Sequence, residues 1–237
     1  MYIILLMLAV LFATFEQTLT GFGFSLIVMP LVTLLFDLRT ASPLVALMGL
    51  TLYIINLLRY RQAVNFREVW RLGIASALGI PVGLWVLANV NEALIKSLLG
   101  LILMAYAVYS LVHPPVPRLR SGHWGYLAGF IAGCLSGAYN TPGPPLVVYG
   151  SLRQWAKDEF RAILQAIFLL NAALTVTSHY LTGHLTTPVL TSYAYALPAL
   201  LLGILIAALV DSKINKERFR TIVTVMILVL GVSLIRV

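Results

Sequence analysis

Cysteine, charge and acidic residues are all scarce in this chain. The one cysteine, Cys134, excludes an intramolecular disulfide, a CxxC redox pair and a thiolate zinc site. Charged residues make up 10% of the 237 positions, where a soluble globular domain carries about 25%. No P-loop, HExxH or dinucleotide fingerprint occurs, so the sequence asks for no cofactor and no metal. Low-complexity tracts and long linkers are missing too; the longest polar joint, residues 113–121, divides the chain near its middle. The opening residues Met1 to Val10 lack a basic leading stretch and run into Glu16-Gln17 rather than a small-residue cleavage site. They read as mature structure, not as a signal peptide.

What is abundant is apolar sequence: 60% of residues are hydrophobic and mean hydropathy is +0.95. Segments 41–58, 72–88, 93–112, 162–181, 189–210 and 220–235 are each apolar over roughly the 17–25 residues that a spanning helix needs. They do not alternate in polarity, as barrel strands would. The chain is therefore expected to be an all-α polytopic membrane protein, with the lipid bilayer as its surroundings.

The net charge of +8 suggests nucleic acid at first sight, but the Lys and Arg residues lie in connecting segments and not on one soluble face. Nucleic acid is not an expected partner; positive-inside topology explains the charges better. Arg59, Arg61, Arg67, Arg71, Arg118, Arg120, Arg153, Lys157, Arg161, Lys213, Lys216, Arg218 and Arg220 fall in four loops. With those loops cytoplasmic, only Arg39, Lys96 and Arg236 remain outside, a 13 to 3 split. This arrangement puts both chain termini outside and makes each half begin with a helical hairpin, one from each face.

Inverted repeats follow, residues 1–112 and 122–237 of a single transport domain. At an offset of 120, Gly23 meets Gly143, Leu26 meets Leu146, Val28 meets Val148, Tyr60 meets Tyr180 and Gly83 meets Gly203, the faint similarity typical of such repeats. Thr20-Gly-Phe-Gly-Phe-Ser25 and Asn140-Thr-Pro-Gly-Pro-Pro145 interrupt the hydrophobic runs at matching points. The segments after them, 24–36 and its counterpart, would be roughly 18–20 Å long against a hydrocarbon core of ~30 Å. Each half is thus expected to hold a short re-entrant or broken hairpin plus three spanning helices, with the two tips meeting near the midplane.

A half-helix beginning at depth presents unpaired N–H groups and a positive dipole end, an anion site. In the first tip the amides of Gly23, Phe24 and Ser25 are the donors, with Gly21 beside them. In the second, Pro144 and Pro145 donate nothing, which leaves the Gly143 amide and the side chains of Asn140 and Thr141. The bland alternative is that these glycines are packing sites and kinks; the pairing of the two breaks argues against it.

Glu16 is the one acidic residue well inside a hydrophobic segment, and thus a candidate for carrying a coupling proton. The competing reading is a hydrogen-bonded Glu16 that holds the hairpin together beside Gln17 and Thr20. Asn56 and Asn171 read as interhelical hydrogen bonds more than ligands. Arg153 and Arg161 could draw anions to the cytoplasmic mouth, although topology alone accounts for them. Ser136 with His179 suggests an intramembrane hydrolase, but Cys134 stands where a glycine is expected and no oxyanion donor can be named; His179 and His184 also fall toward the outer end of their segment.

Leu19-Thr-Gly-Phe-Gly-Phe-Ser-Leu-Ile-Val-Met-Pro30 and Gly133-Cys-Leu-Ser-Gly-Ala-Tyr-Asn-Thr-Pro-Gly-Pro-Pro-Leu-Val-Val-Tyr149 resemble the two signatures of the TauE/SafE (sulfite exporter-like) membrane transporters, and residues 159–168 fit as well. The resemblance covers nearly the whole chain. It implies a carrier in the plasma membrane, typically the bacterial inner membrane, for a small anion such as sulfite or an organosulfonate. Phe22, Phe24 and Thr141-Pro142 depart from the commoner glycine-rich pattern, which would alter cavity size and donor number. A channel, or a carrier of another small metabolite, is the alternative; a homo-oligomer stays open.

Overall fold

The computed structural model describes residues 2–112, 118–211 and 216–235. Residues 113–117 of the polar joint, Lys213 and Arg236 lie outside the described residues, as do the side chains of Lys96, Lys216, Arg218 and Arg220. Among the described residues the chain is all-helical, with ten α-helices: α1 (Tyr2–Thr20), α2 (Phe24–Leu35), α3 (Leu38–Tyr60), α4 (Phe66–Asn89), α5 (Glu92–Val112), α6 (Trp124–Tyr139), α7 (Gly143–Arg153), α8 (Lys157–Leu181), α9 (Thr187–Val210) and α10 (Lys216–Ile235). Helices start several residues before the apolar windows because polar first turns, such as Asn65 accepting from the Glu68 amide, cap and extend them.

Among the described residues, five helices (α1, α3, α4, α8 and α9) are long and apolar enough to cross a membrane. The inclusion of α1, with 19 residues, departs from the expected short hairpin. Its polar residues interrupt the hydropathy but not the helix: Thr18 Oγ1 donates to the Thr14 carbonyl at 2.8 Å and Thr20 Oγ1 to the Glu16 carbonyl at 3.2 Å. The short members are α2, with 12 residues, and α7, with 11, roughly 18 and 16 Å long.

Two of the central helices, α3 and α8, pack on each other. Around them α1 lies on α9, α6 on α4, and α5 on α10; α3 also touches α9, as α8 touches α4. Leu201, Leu202, Leu205 and Leu209 of α9 are exposed, which suits a surface facing hydrocarbon.

The α4–α6 seam is built on small residues. Gly129, Gly133 and Gly137 recur every fourth position and so share one helix face, letting the backbones touch. A Cβ on Gly133 would overlap the Ser76 carbonyl oxygen, and one on Gly137 the Ile80 carbonyl oxygen. Extra bulk in a packed interior costs about 1–3 kcal/mol where neighbours can yield, and a backbone carbonyl yields little. Gly133→Leu is therefore expected to lower the thermal midpoint of the purified protein sharply or prevent recovery of a monodisperse peak. Leu78→Phe, on the exposed side of α4, should leave both unchanged.

Candidate functional site

The first turn, between α1 and α2, exists because of two glycines: Gly21 has φ +94° and Gly23 φ +117°, conformations that L-residues rarely adopt. Gln17, one turn back on α1, holds both sides of it. Its Nε2 donates to the Gly21 carbonyl at 3.2 Å and its Oε1 accepts the Phe24 amide at 2.9 Å. Gln165 Nε2 on α8 reaches the same Gly21 carbonyl at 2.8 Å. The Phe24 N–H is therefore already engaged, and Phe24 itself is fully buried.

Glu16 lies behind this turn and is buried. Its Oε1 sits 2.8 Å from Thr20 Oγ1, and Thr20 Oγ1 is 2.7 Å from the Phe22 carbonyl. Oε2 is buried with no hydrogen-bond partner, and the absence of a Cβ on Gly23 is what leaves room for it.

The second turn is different. Asn140 closes α6 in the left-handed region, φ 55°, with its N–H on the Ser136 carbonyl at 2.8 Å and the Thr141 N–H on Leu135 at 3.3 Å. Such a close satisfies two orphan carbonyls at a helix end. The Asn140 side chain crosses to α3, where Nδ2 donates to both the carbonyl and Oγ of Ser42 at 2.9 Å. Ser42 Oγ is also 3.1 Å from His179 Nε2, and His179 Nδ1 is 3.4 Å from His184 Nδ1. Thr141 is fully buried, and its Oγ1 has no partner. Pro144 then stands in the first turn of α7, where its missing N–H costs nothing.

Along α8, Gln165 and Arg161 touch the first turn, while His179 reaches the second turn through Ser42. Positions 161 and 179 are ~27 Å apart at 1.5 Å per residue. The two turns are therefore anchored toward different ends of α8, the second of them through Ser42, and α2 and α7 start from them. Their N-termini converge beside Phe168. Ser25 Oγ is 3.1 Å from Tyr53 Oη, the Tyr53 and Phe168 rings are 5.3 Å apart, and a Cβ on Gly143 would lie 3.9 Å from Phe168 Cζ.

Ser25 and Asn140, one from each half, wall the same cavity with Tyr53, Ser136, Pro142 and Phe168. It measures about 10 Å³, room for about one water. Of the residues singled out from sequence, Ser25 and Asn140 are brought together here; Gly21 and Gly23 frame Gln17 and Glu16; Gly143 lies against Phe168; Thr141 is buried close to the second turn.

Sequence reading missed Ser42, Tyr53, Gln165 and Phe168. Each is one residue in an apolar or mixed helix, and its partner lies 28 to 144 positions away; periodicity carries no signal for such a pair. Asn56 and Asn171 make interhelical bonds, Nδ2 of Asn56 to Thr18 Oγ1 at 3.5 Å and Oδ1 of Asn171 from Ser76 Oγ at 2.7 Å. Arg153 donates to Glu68 Oε1 at 2.8 Å and to the Leu119 and Arg120 carbonyls, each at 2.9 Å. Arg161 is buried and holds the Leu19 carbonyl and, at 3.2 Å, Tyr60 Oη. The serine that His179 Nε2 contacts is Ser42, whose Oγ Asn140 also engages.

Comparison with known proteins gives a family and a relative. The family described as "Sulfite exporter TauE/SafE" matches residues 6–234. A protein of Cupriavidus necator described as "Probable sulfite/organosulfonate exporter TauE" is 25% identical over 227 residues, which span 93% of this chain and 89% of that one. No solved structure matches.

Proposed function

We propose that this chain, which belongs to the sulfite exporter TauE/SafE family, carries a small anion, sulfite or an organosulfonate, by alternating access around the space between the N-termini of α2 and α7. One observation carries the reading: Ser25 and Asn140, 115 positions apart, line one cavity with two short helices aimed at it. Helix N-termini favour anions through their free N–H groups and dipole. The cavity holds about one water, so the substrate is admitted only when the walls move apart.

The packing pattern supports inverted repeats of residues 1–112 and 122–237. Exchanging α1–α5 for α6–α10 turns the α1–α9 contact into α6–α4 and the α3–α9 contact into α8–α4, and each is present. The exchange fails where α10 packs on α2 and α1 and where α6 packs on α8, since α5 is not packed in the same way on α7 and α6, nor α1 on α3; the face of α7 toward α5 borders an apolar cleft of about 780 Å³. A helix pair seated on one hairpin and standing off the other is what one of two alternating arrangements would look like. The charge count favours the N-terminal end of α8 in the cytoplasm and both termini outside, and the family favours the plasma membrane.

Glu16 is the coupling group in this scheme. The Thr20 hydroxyl has one proton to give but three acceptors in reach, Glu16 Oε1, the Phe22 carbonyl and the Glu16 carbonyl. A proton on Glu16, donated to Thr20, leaves the hydroxyl proton for a carbonyl.

Sulfite flux into proteoliposomes, beside sulfoacetate and chloride and with and without a pH gradient, tests the reading. Saturable uptake of sulfite or sulfoacetate is expected. No flux of any tested anion by protein shown to be folded would overturn it. Glu16→Gln, which keeps a partner for Thr20, should lose the gradient-driven part of uptake and keep substrate exchange at equal pH; an unchanged response to the gradient would remove Glu16 from coupling.

A further inference from the structure

The apolar cleft of about 780 Å³ between α5, α6 and α7 opens at one end onto three arginines. Its walls run from Tyr109, Trp124 and Leu152, where the three helices meet the polar joint, to Leu135, Pro144 and Pro145 beside the second turn. A neighbouring cavity of about 560 Å³ is lined by Arg118, Leu119, Arg120 and Arg153, and Leu119 lines the cleft as well. We propose that the two together bind one anionic phospholipid, with its phosphate on Arg118 and Arg120 and an acyl chain in the cleft.

Charge decides the head group. Arg118 and Arg120 are exposed, and among the described residues no hydrogen bond or ion pair occupies either guanidinium. Arg153 is committed elsewhere: it donates to Glu68 Oε1 at 2.8 Å and to the Leu119 and Arg120 carbonyls, each at 2.9 Å. With the Leu119 amide on the Leu152 carbonyl at 2.8 Å, it pins the backbone that carries the other two arginines to the end of α7. None of the described residues lining this cavity is acidic. Glu68 is buried and also accepts from Tyr149 Oη at 2.9 Å. Guanidinium groups match phosphate oxygens with paired N–H donors, and a zwitterionic head group would bring a second cation that the arginines repel.

Shape decides the rest of the ligand. Trp124 and Leu135 are 11 positions apart on α6, ~16 Å at 1.5 Å per residue, and half of a ~30 Å hydrocarbon core is about the same depth. The cleft is thus as deep as one leaflet. Its lining is aliphatic and aromatic, and the Tyr149 hydroxyl is already given to Glu68. Tyr109 and Trp124 stand at its mouth, the level at which amphipathic rings collect in membrane proteins. Free phosphate would use the arginines and leave the cleft unmatched, whereas a phospholipid uses both.

A chain in this position reaches Pro144 and Pro145, in the first turn of α7. Lipid is thereby a wedge between α5 and the second hairpin, while α10 packs directly on the first. Native mass spectrometry of the full-length protein in detergent, equilibrated with equal amounts of dioleoylphosphatidylglycerol and dioleoylphosphatidylcholine, measures it. One phosphatidylglycerol per chain is expected, retained at least about fivefold over phosphatidylcholine, as a basic site requires. Arg118→Gln/Arg120→Gln should lower its retention about tenfold and Arg118→Lys/Arg120→Lys restore most of it, as a charge-assisted contact requires. Val148→Trp on α7 and Ala105→Trp on α5 each fill the cleft and should lower retention as far with both arginines present. Excess inorganic phosphate should leave the lipid bound. The arginine variants and Ala105→Trp, all at exposed positions, should keep the parent's elution profile.

Equal retention of the two lipids by the parent, or unchanged retention in the glutamine double variant, overturns the site. So does retention that ignores both cleft-filling variants, which would leave the lipid on surface charge alone, and so does displacement by phosphate, which would make the arginines a site for the free anion. A lipid-free dimer as the main species would put a second copy over the cleft and overturn it as well. Lipid retention is read without any flux, so this site and the anion-carrier reading stand or fall separately.

Discussion

Gly23→Ala is expected to abolish transport, by at least about 100-fold. Two separate effects combine at this position. The backbone has φ +117°, and forcing an L-residue into the left-handed region costs roughly 1–2 kcal/mol. The new Cβ would also overlap Glu16 Oε2 and sit 2.9 Å from Oε1, so the carboxylate must leave the place where Thr20 holds it. The double variant Glu16→Ala/Gly23→Ala separates the two. It removes the overlap but not the strain, so part of the lost thermal stability should return while gradient-driven uptake stays absent. Wild-type flux from Gly23→Ala would mean that the Glu16 carboxylate and the first turn lie outside the transport pathway.

The reason this prediction can be stated residue by residue is that the backbone breaks were legible in the sequence and their partners were not. Gly21, Gly23 and Asn140 stand where the chain leaves its helices with positive φ, and the brevity of α2 and α7 followed from counting apolar residues after each break. Composition and run length settled the all-helical membrane class. That α1 is a candidate span was harder to read, since Thr14, Glu16, Gln17 and Thr18 look like an interruption until their side chains are seen bonded back to the helix or buried against neighbours. The partners that hold the turns were not legible either. Gln165 bonds the first and Ser42 the second, and no local pattern encodes a hydrogen bond spanning 98 or 144 residues. The glycines at 129, 133 and 137 carry a spacing signal that went unread, and they specify the seam beside the site rather than the site.

Asn140 offers the sharper test of whether the second turn binds the substrate, because its two roles can be separated by choice of replacement. As the left-handed close of α6, φ 55°, it could be replaced by glycine at little cost, since glycine is the usual residue there. As a side chain it gives Nδ2 to Ser42 twice, each at 2.9 Å, beside the cavity it shares with Ser25. Asn140→Gly keeps the backbone geometry and removes the amide. Leaving a buried partner unsatisfied costs about 1–3 kcal/mol, which corresponds to roughly a 10- to 100-fold loss where the contact is needed for turnover. Asn140→Gly and Asn140→Ala should therefore fall by similar factors in substrate uptake, with Ala the less stable of the two by thermal melting. A glycine variant that transports like the parent would reduce Asn140 to a helix cap. The anion site would then rest on Ser25 and the Gly143 amide alone, and Ser25→Ala would become the variant expected to show the larger loss.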